Sequence, residues 1–83
     1  MQGKRVYPVE DDYSALFEPG TYGKTVDGWF CRCPNGLLGG LNRHSITEHE
    51  DGTITVSPSI LTYPTSDCVQ WHGFLEHGVW REV

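Results

Sequence analysis

The 83-residue sequence is short of basic charge. Six Lys and Arg stand against eleven Asp and Glu, a formal net charge of −5, and no basic run exceeds Lys4-Arg5. A nucleic-acid surface needs a clustered basic face to displace counterions, so no nucleic-acid partner is expected. No apolar stretch approaches the ~20 residues of a membrane-spanning helix, so no membrane partner is expected. The opening MQGKRVYPVEDDYSALF lacks the apolar centre of a secretory signal, which makes a cytosolic setting the expectation. Cysteine occurs three times. In the cytosol a disulfide is unusual, and an odd count leaves at least one thiol unpaired in a monomer. There is also no phosphate-binding glycine loop, nucleophile elbow or dinucleotide fingerprint, and catalysis is not expected.

Aromatic side chains are what the chain does have. Three Trp, four Tyr and three Phe offset a hydrophobic fraction of 37%, because each ring buries roughly 150–250 Å². Eighty-three residues make one domain. Residues 1–24, broken by Pro8, Pro19, Gly20 and Gly23, read as an irregular N-terminal segment. Within it VEDDYSALFEPG predicts a short helix, capped by Asp11 or Asp12, with Tyr13, Leu16 and Phe17 facing inward. Residues 25–83 read as a β core. DGWFCRC predicts a strand closed by Pro34-Asn35-Gly36, and PNGLLGG a loop anchored by Leu37 and Leu38.

Two hairpins follow. In HSITEHEDGTITVSPSIL a three-residue turn, Glu50-Asp51-Gly52, pairs Ile46 with Val56 and Glu48 with Ile54. This register separates apolar from polar faces better than a two-residue turn does. The same rule applied to VQWHGFLEHGVWREV, with Glu76-His77-Gly78 as the turn, pairs Leu75 with Val79 and Phe74 with Trp80. Pro58 and Pro64 confine SPSILTYPTSD to a sheet edge or an irregular crossing. The predicted fold is mostly β, a small sandwich or partly open barrel of two hairpins with one or two further strands and a short helix near the start.

WFCRCPNG and DCVQWHG hold the candidate chemistry. Strand alternation points Cys31 and Cys33 the same way, and Cys68 with His72 would complete a three-Cys, one-His set of the kind that holds structural zinc. One structural zinc is therefore one expectation for Cys31, Cys33, Cys68 and His72. The competing one is no cofactor, with small thiols packed in the core and His72 paired to Glu82. His44 with His72 is a further candidate for an open metal site. Trp71, Phe74 and Trp80 are candidates for core or for a binding surface.

HSITEHEDGTITVSPSIL and WHGFLEHGVWREV, with Pro58–Leu61, His72, Gly78 and Trp80, resemble a family of short proteins encoded by phages and prophages. GWFCRCPNGLLGGLNRH resembles that family's preceding segment, so the likeness spans about residues 28–83. No activity is established for the family. The resemblance implies a phage or prophage origin and a small accessory or virion-associated role, in the cytoplasm of a bacterial host or in the virion. The expected function is a non-enzymatic binding or structural module with a phage or host protein partner, or self-association. The alternatives are an inhibitor of a host defence system acting through acidic residues such as Glu10-Asp11-Asp12 and Glu48-Glu50-Asp51, and a zinc-stapled module or metal-dependent enzyme.

Overall fold

A computed structural model describes residues 1–10, 12–66 and 69–83. The described residues form nine short strands: β1 (Lys4–Arg5), β2 (Thr21–Thr25), β3 (Gly28–Arg32), β4 (Leu38–Gly40), β5 (Ser45–Glu48), β6 (Ile54–Ser57), β7 (Ile60–Thr62), β8 (Trp71–Glu76) and β9 (Val79–Glu82). They make three small sheets, in the orders β1-β2-β3-β4, β5-β6 and β7-β8-β9. The fold is mostly β, with no closed barrel among the described residues.

The β5–β6 hairpin has the register expected from its pattern, with Ile46 opposite Val56 and Glu48 opposite Ile54. Ile54 and Val56 are buried. The turn closes through His49 N–H to Thr53 O (2.9 Å) and Gly52 N–H to His49 O (3.0 Å). Gly52 takes φ +87°, the left-handed conformation that glycine adopts at little cost.

The β8–β9 hairpin corrects the expected register by one residue. Glu76 pairs with Val79, Leu75 with Trp80, and Phe74 with Arg81. The turn is the two residues His77 and Gly78, both at positive φ (47° and 73°), as a tight hairpin matched to strand twist requires. One residue of slip moves every side chain of β9 to the other face. Trp80 therefore joins Trp71 and Leu75 in the core, while Val79 and Val83 face outward. The two indoles meet edge to face, with centroids 5.3 Å apart. Trp71 also lies over Gly73, where a Cβ would come within 2.4 Å of its ring.

The N-terminal third is structural, not irregular. β2 is almost wholly buried and pairs with β1 in parallel and β3 in antiparallel register. Its Gly23 reads as a breaker but fills a close approach: a Cβ there would sit 2.5 Å from Val6 O. The expected helix is a single 3-10 turn, Ser14–Leu16. Asp12 Oδ1 accepts from Ser14 N–H at 3.0 Å, and this bond holds the Asp12 carboxyl below the usual range. Leu16 is buried as expected, but Phe17 is exposed, since one turn of helix presents only one side chain inward.

Residues 1–6 join two sheets. Trp80 N–H donates to Met1 O (2.8 Å) and Gly3 N–H to Gly78 O (2.7 Å). Lys4 N–H then reaches Gly20 O (3.1 Å) and Val6 N–H reaches Tyr22 O (2.8 Å). The β5–β6 sheet docks on the closing hairpin through Gly78 N–H to Ile54 O (3.0 Å). Backbone pairing thus runs from β4 through β3, β2, residues 1–6, β9 and β8 to β7.

The register yields a paired expectation. Trp80→Ala empties a buried site and is expected to cost about 3–5 kcal/mol. Val79→Ala, on the outer face, is expected to stay within about 0.5 kcal/mol. Urea unfolding of both variants checks this, and equal losses would contradict the two-residue turn.

Candidate functional site

The chain of paired strands ends at two edges, β4 and β7. Between them lies a cleft of about 310 Å³ bordered by Leu38, Gly39, Gly40, His44 and Ile60 to Tyr63. No described strand pairs with either edge. On β4, Leu41 N–H and Leu37 O bond to the β3 side, so antiparallel alternation turns the amides and carbonyls of Leu38 and Gly40 toward the cleft. On β7, Leu61 lies opposite His72, whose carbonyl is taken by Val83 N–H on the β9 side. Leu61 therefore presents its own N–H and C=O to the cleft. The rim is apolar: Leu38 is 44% exposed, Leu61 47% and Tyr63 77%. The expectation that Leu37 and Leu38 both anchor a loop is half corrected. Leu37 is buried, while Leu38 lies on a strand and stands at the rim.

His44 closes one end, its Nε2 lying 3.1 Å from Ser59 O. Its Nδ1 is buried without a hydrogen-bond partner among the described residues. His72 approaches the same residue from outside, with Nε2 3.0 Å from Ser59 Oγ. The structure thus brings His44 and His72 to one serine. No group of three His, Cys, Asp or Glu among the described residues is arranged to hold a metal ion.

Cys31 and Cys33 lie in the core behind the β4 wall. Both are fully buried. The ladder runs on past β3 through Cys33 N–H to Leu37 O (2.7 Å), which keeps the alternation and sends both sulfurs inward. Interaction between the two thiols raises Cys31 well above the usual thiol range, with burial adding to the rise, and lowers Cys33. The Arg32 guanidinium favours the ionised form of both, and the Thr62 hydroxyl, which donates to Trp71 O at 3.3 Å, also lowers Cys33. Arg32 is held in place by Leu16 O (2.9 Å) and Gly36 O (3.1 Å).

The expected set of Cys31, Cys33, Cys68 and His72 is corrected in one member. β8 buries Trp71, Gly73 and Leu75 and turns His72 outward, so His72 does not join the thiol pair. Cys68 lies outside the described residues. The expected His72–Glu82 pairing is also replaced, because Glu82 stands opposite Gly73. Of the candidate binding aromatics, Trp71 and Trp80 are core, at 4% and 3% exposure. Phe74 is half-buried on the outer face beneath the Arg81 guanidinium, 4.3 Å from the ring centroid.

A second cluster joins the two hairpin tips. His49 and His77 stack at 3.7 Å with an interplanar angle of 8°. Thr55 Oγ1 lies 2.7 Å from His49 Nε2 and accepts His77 N–H at 3.0 Å. Two of the carboxylates considered as an acidic surface are engaged locally. Glu48 pairs with Arg5 at 3.0 Å, and Asp51 accepts from the Thr53 hydroxyl and amide, which lowers its carboxyl. Sequence reasoning missed the cleft and the His49–His77 stack, since each needs strands far apart in the chain to meet.

No family model, no curated protein and no solved structure matches the chain.

The thiol geometry predicts an order of ionisation. In a Cys68→Ser background Cys33 is expected to lose its proton first, with Cys31 protonated well beyond the ordinary thiol range. Thr62→Val takes away the hydroxyl that lowers Cys33 and should move its titration upward. Thiolate ultraviolet absorbance against pH reads both. A downward or absent shift would show that Thr62 does not stabilise the thiolate.

Proposed function

We propose that this protein is a non-enzymatic binding module that takes up an extended segment of a partner polypeptide at the β4–β7 cleft. The observation that carries this reading is the pair of unpaired strand edges facing one opening. Each edge offers backbone donors and acceptors in strand spacing, and an added strand satisfies them while alternate side chains meet Leu38, Leu61 and Tyr63. Natural proteins usually blunt such edges with charge or proline. Here Gly39 and Gly40 leave one wall bare of side chains, so another backbone can come close. An exposed apolar rim around a cleft is also the common mark of a protein-interaction site.

The net charge of −5 favours a partner segment flanked by basic residues, through long-range attraction that weakens with salt. The phage or prophage resemblance, and the cytoplasm or virion as the place of action, belong to this same proposal. A second copy of the chain is the other occupant the edges permit.

Isotope-labelled protein titrated with synthetic peptides of alternating apolar and polar residues, flanked by Lys, provides the test. Saturable shifts centred on the amides of Leu38, Gly40 and Leu61 are expected. Leu61→Pro removes an outward N–H while leaving the β7–β8 ladder bonds in place, and should weaken binding about tenfold, the loss of one hydrogen bond. Leu61→Lys, which keeps the backbone free to pair, should weaken it by losing the apolar contact. Shifts elsewhere, or none, would overturn the reading. Concentration-dependent dimerisation through the same amides would replace the partner with a second copy.

A further inference from the structure

We propose that the His49–His77 stack is a pH-sensitive clasp, which holds the tip of the β5–β6 hairpin on the tip of the β8–β9 hairpin and loosens on mild acidification. This goes beyond the peptide-binding reading and does not depend on it.

The first support is the stack itself. The two imidazoles lie 3.7 Å apart at 8°. His49 is half-buried and His77 exposed, so both exchange protons with solvent. Imidazole is the side chain that ordinarily changes charge between about pH 5 and 8. Two neutral rings, or one neutral and one charged, stack without charge repulsion. Two imidazolium ions in this contact repel. The unfolded chain holds the rings apart and takes both protons freely. It therefore binds more protons than the folded chain as the pH falls through the imidazole range. The stability supplied by the clasp is full above that range and is lost below it.

The second support is the turn. His77 and Gly78 stand at φ +47° and +73°. A two-residue hairpin turn of this kind favours Asn-Gly or Asp-Gly. Local turn chemistry thus does not call for an imidazole at position 77, whereas the contact with His49 does.

The third support is the hydrogen bonding beside the rings. Thr55 Oγ1 accepts the His77 backbone N–H at 3.0 Å and lies 2.7 Å from His49 Nε2. The hydroxyl can donate to that nitrogen only while the nitrogen is unprotonated. Once it carries a proton, the hydroxyl accepts from both sides and its own proton loses this acceptor. Next to it, Gly78 N–H bonds to Ile54 O at 3.0 Å, the bond that docks the β5–β6 sheet on the closing hairpin. The rings, Thr55 and the docking bond are one joint.

The surrounding charges leave the second proton unbalanced. Asp51, lowered first by its bonds from Thr53, interacts with both rings and offsets one imidazolium. Glu48 is paired with Arg5, which also donates to Gly52 O, and Glu76 is paired with Arg81. Glu50 is exposed in the turn. From β2 the Tyr22 hydroxyl packs against Gly78, where a Cβ would come within 2.8 Å of it, and burial keeps that hydroxyl protonated.

The test is amide hydrogen exchange of the full chain at about pH 7 and about pH 5, corrected for the intrinsic rates. Protection of Gly78 N–H is expected to fall roughly tenfold, the size set by two like charges in contact near a surface. Val6 and Cys33, whose amides bond elsewhere in the fold, should keep their protection. His77→Asn suits the positive φ and removes one imidazole, and His49→Gln removes the other. Each should abolish the fall at Gly78, and the double variant should add nothing. No fall in the unaltered protein, an equal fall at Val6 and Cys33, or a fall that persists in either variant overturns the proposal. Nuclear magnetic resonance titration of the two rings in the unaltered protein covers the case in which the variants do not fold. Each ring's curve should carry a second inflection where its neighbour gains a proton, and two independent single-step curves would overturn the clasp.

Discussion

The indole of Trp80 must be out of water, and its N–H must still find an acceptor. Gly20 O supplies that acceptor at 2.9 Å inside the core. A buried donor without a partner costs on the order of 1–3 kcal/mol, so this contact constrains the fold more than its own net strength suggests. It sets the register of β8–β9, because only the two-residue turn puts Trp80 inward. It also sets the path of the N-terminal segment, which passes directly over the ring: a Cβ on Gly3 would come within 2.9 Å of Nε1. The backbone bonds of Met1 to β9, of Gly3 to Gly78 in the turn and of Lys4 to Gly20 are laid out around that indole. In a chain with so little aliphatic core, one ring and one hydrogen bond tie together segments sixty residues apart.

The same arrangement explains why the molecule has free edges. Residues 1–6 are used to join β2 to β9, so the line of paired strands closes on that side only. On the other side β4 and β7 approach without pairing. β4 is three residues long and carries two glycines, and β7 is three residues long between Pro58 and Pro64. Strands this short add few ladder bonds of their own, and their outward backbone groups stay available. The opening is thus the counterpart of the closure at the N-terminal segment.

How far the fold could be read from the chain depended on how unequal the two faces of each strand were. Ile46, Ile54 and Val56 against Thr47, Thr53 and Thr55 leave one sensible register, and β5–β6 has it. Trp71, Phe74, Leu75, Val79 and Trp80 put apolar residues on both faces of β8–β9, so pattern alone could not choose between turns of two and three residues. The deciding features were the positive φ of His77 as well as Gly78 and the acceptor for Trp80, neither visible locally. β2 was hidden because Gly20 and Gly23 look like breakers, whereas Gly23 serves a close passage of the chain near Val6. For the site, the shared direction of Cys31 and Cys33 was legible from alternation. The separation of His72 from them was not, because it follows from which face of β8 is buried.

Thr62 connects the cleft to the aromatic core. Its backbone is part of β7, its methyl faces Gly39 on β4, where a Cβ would come within 3.1 Å of it, and its hydroxyl donates to Trp71 O at 3.3 Å. Trp71 in turn meets Trp80 edge to face. The extended conformation that keeps β7 available as an edge is the one from which the Thr62 hydroxyl reaches Trp71, so the packing of the two indoles and the shape of the cleft favour the same position of this residue. The wall of the cleft and the core behind it are therefore parts of one structure, joined through a single side chain.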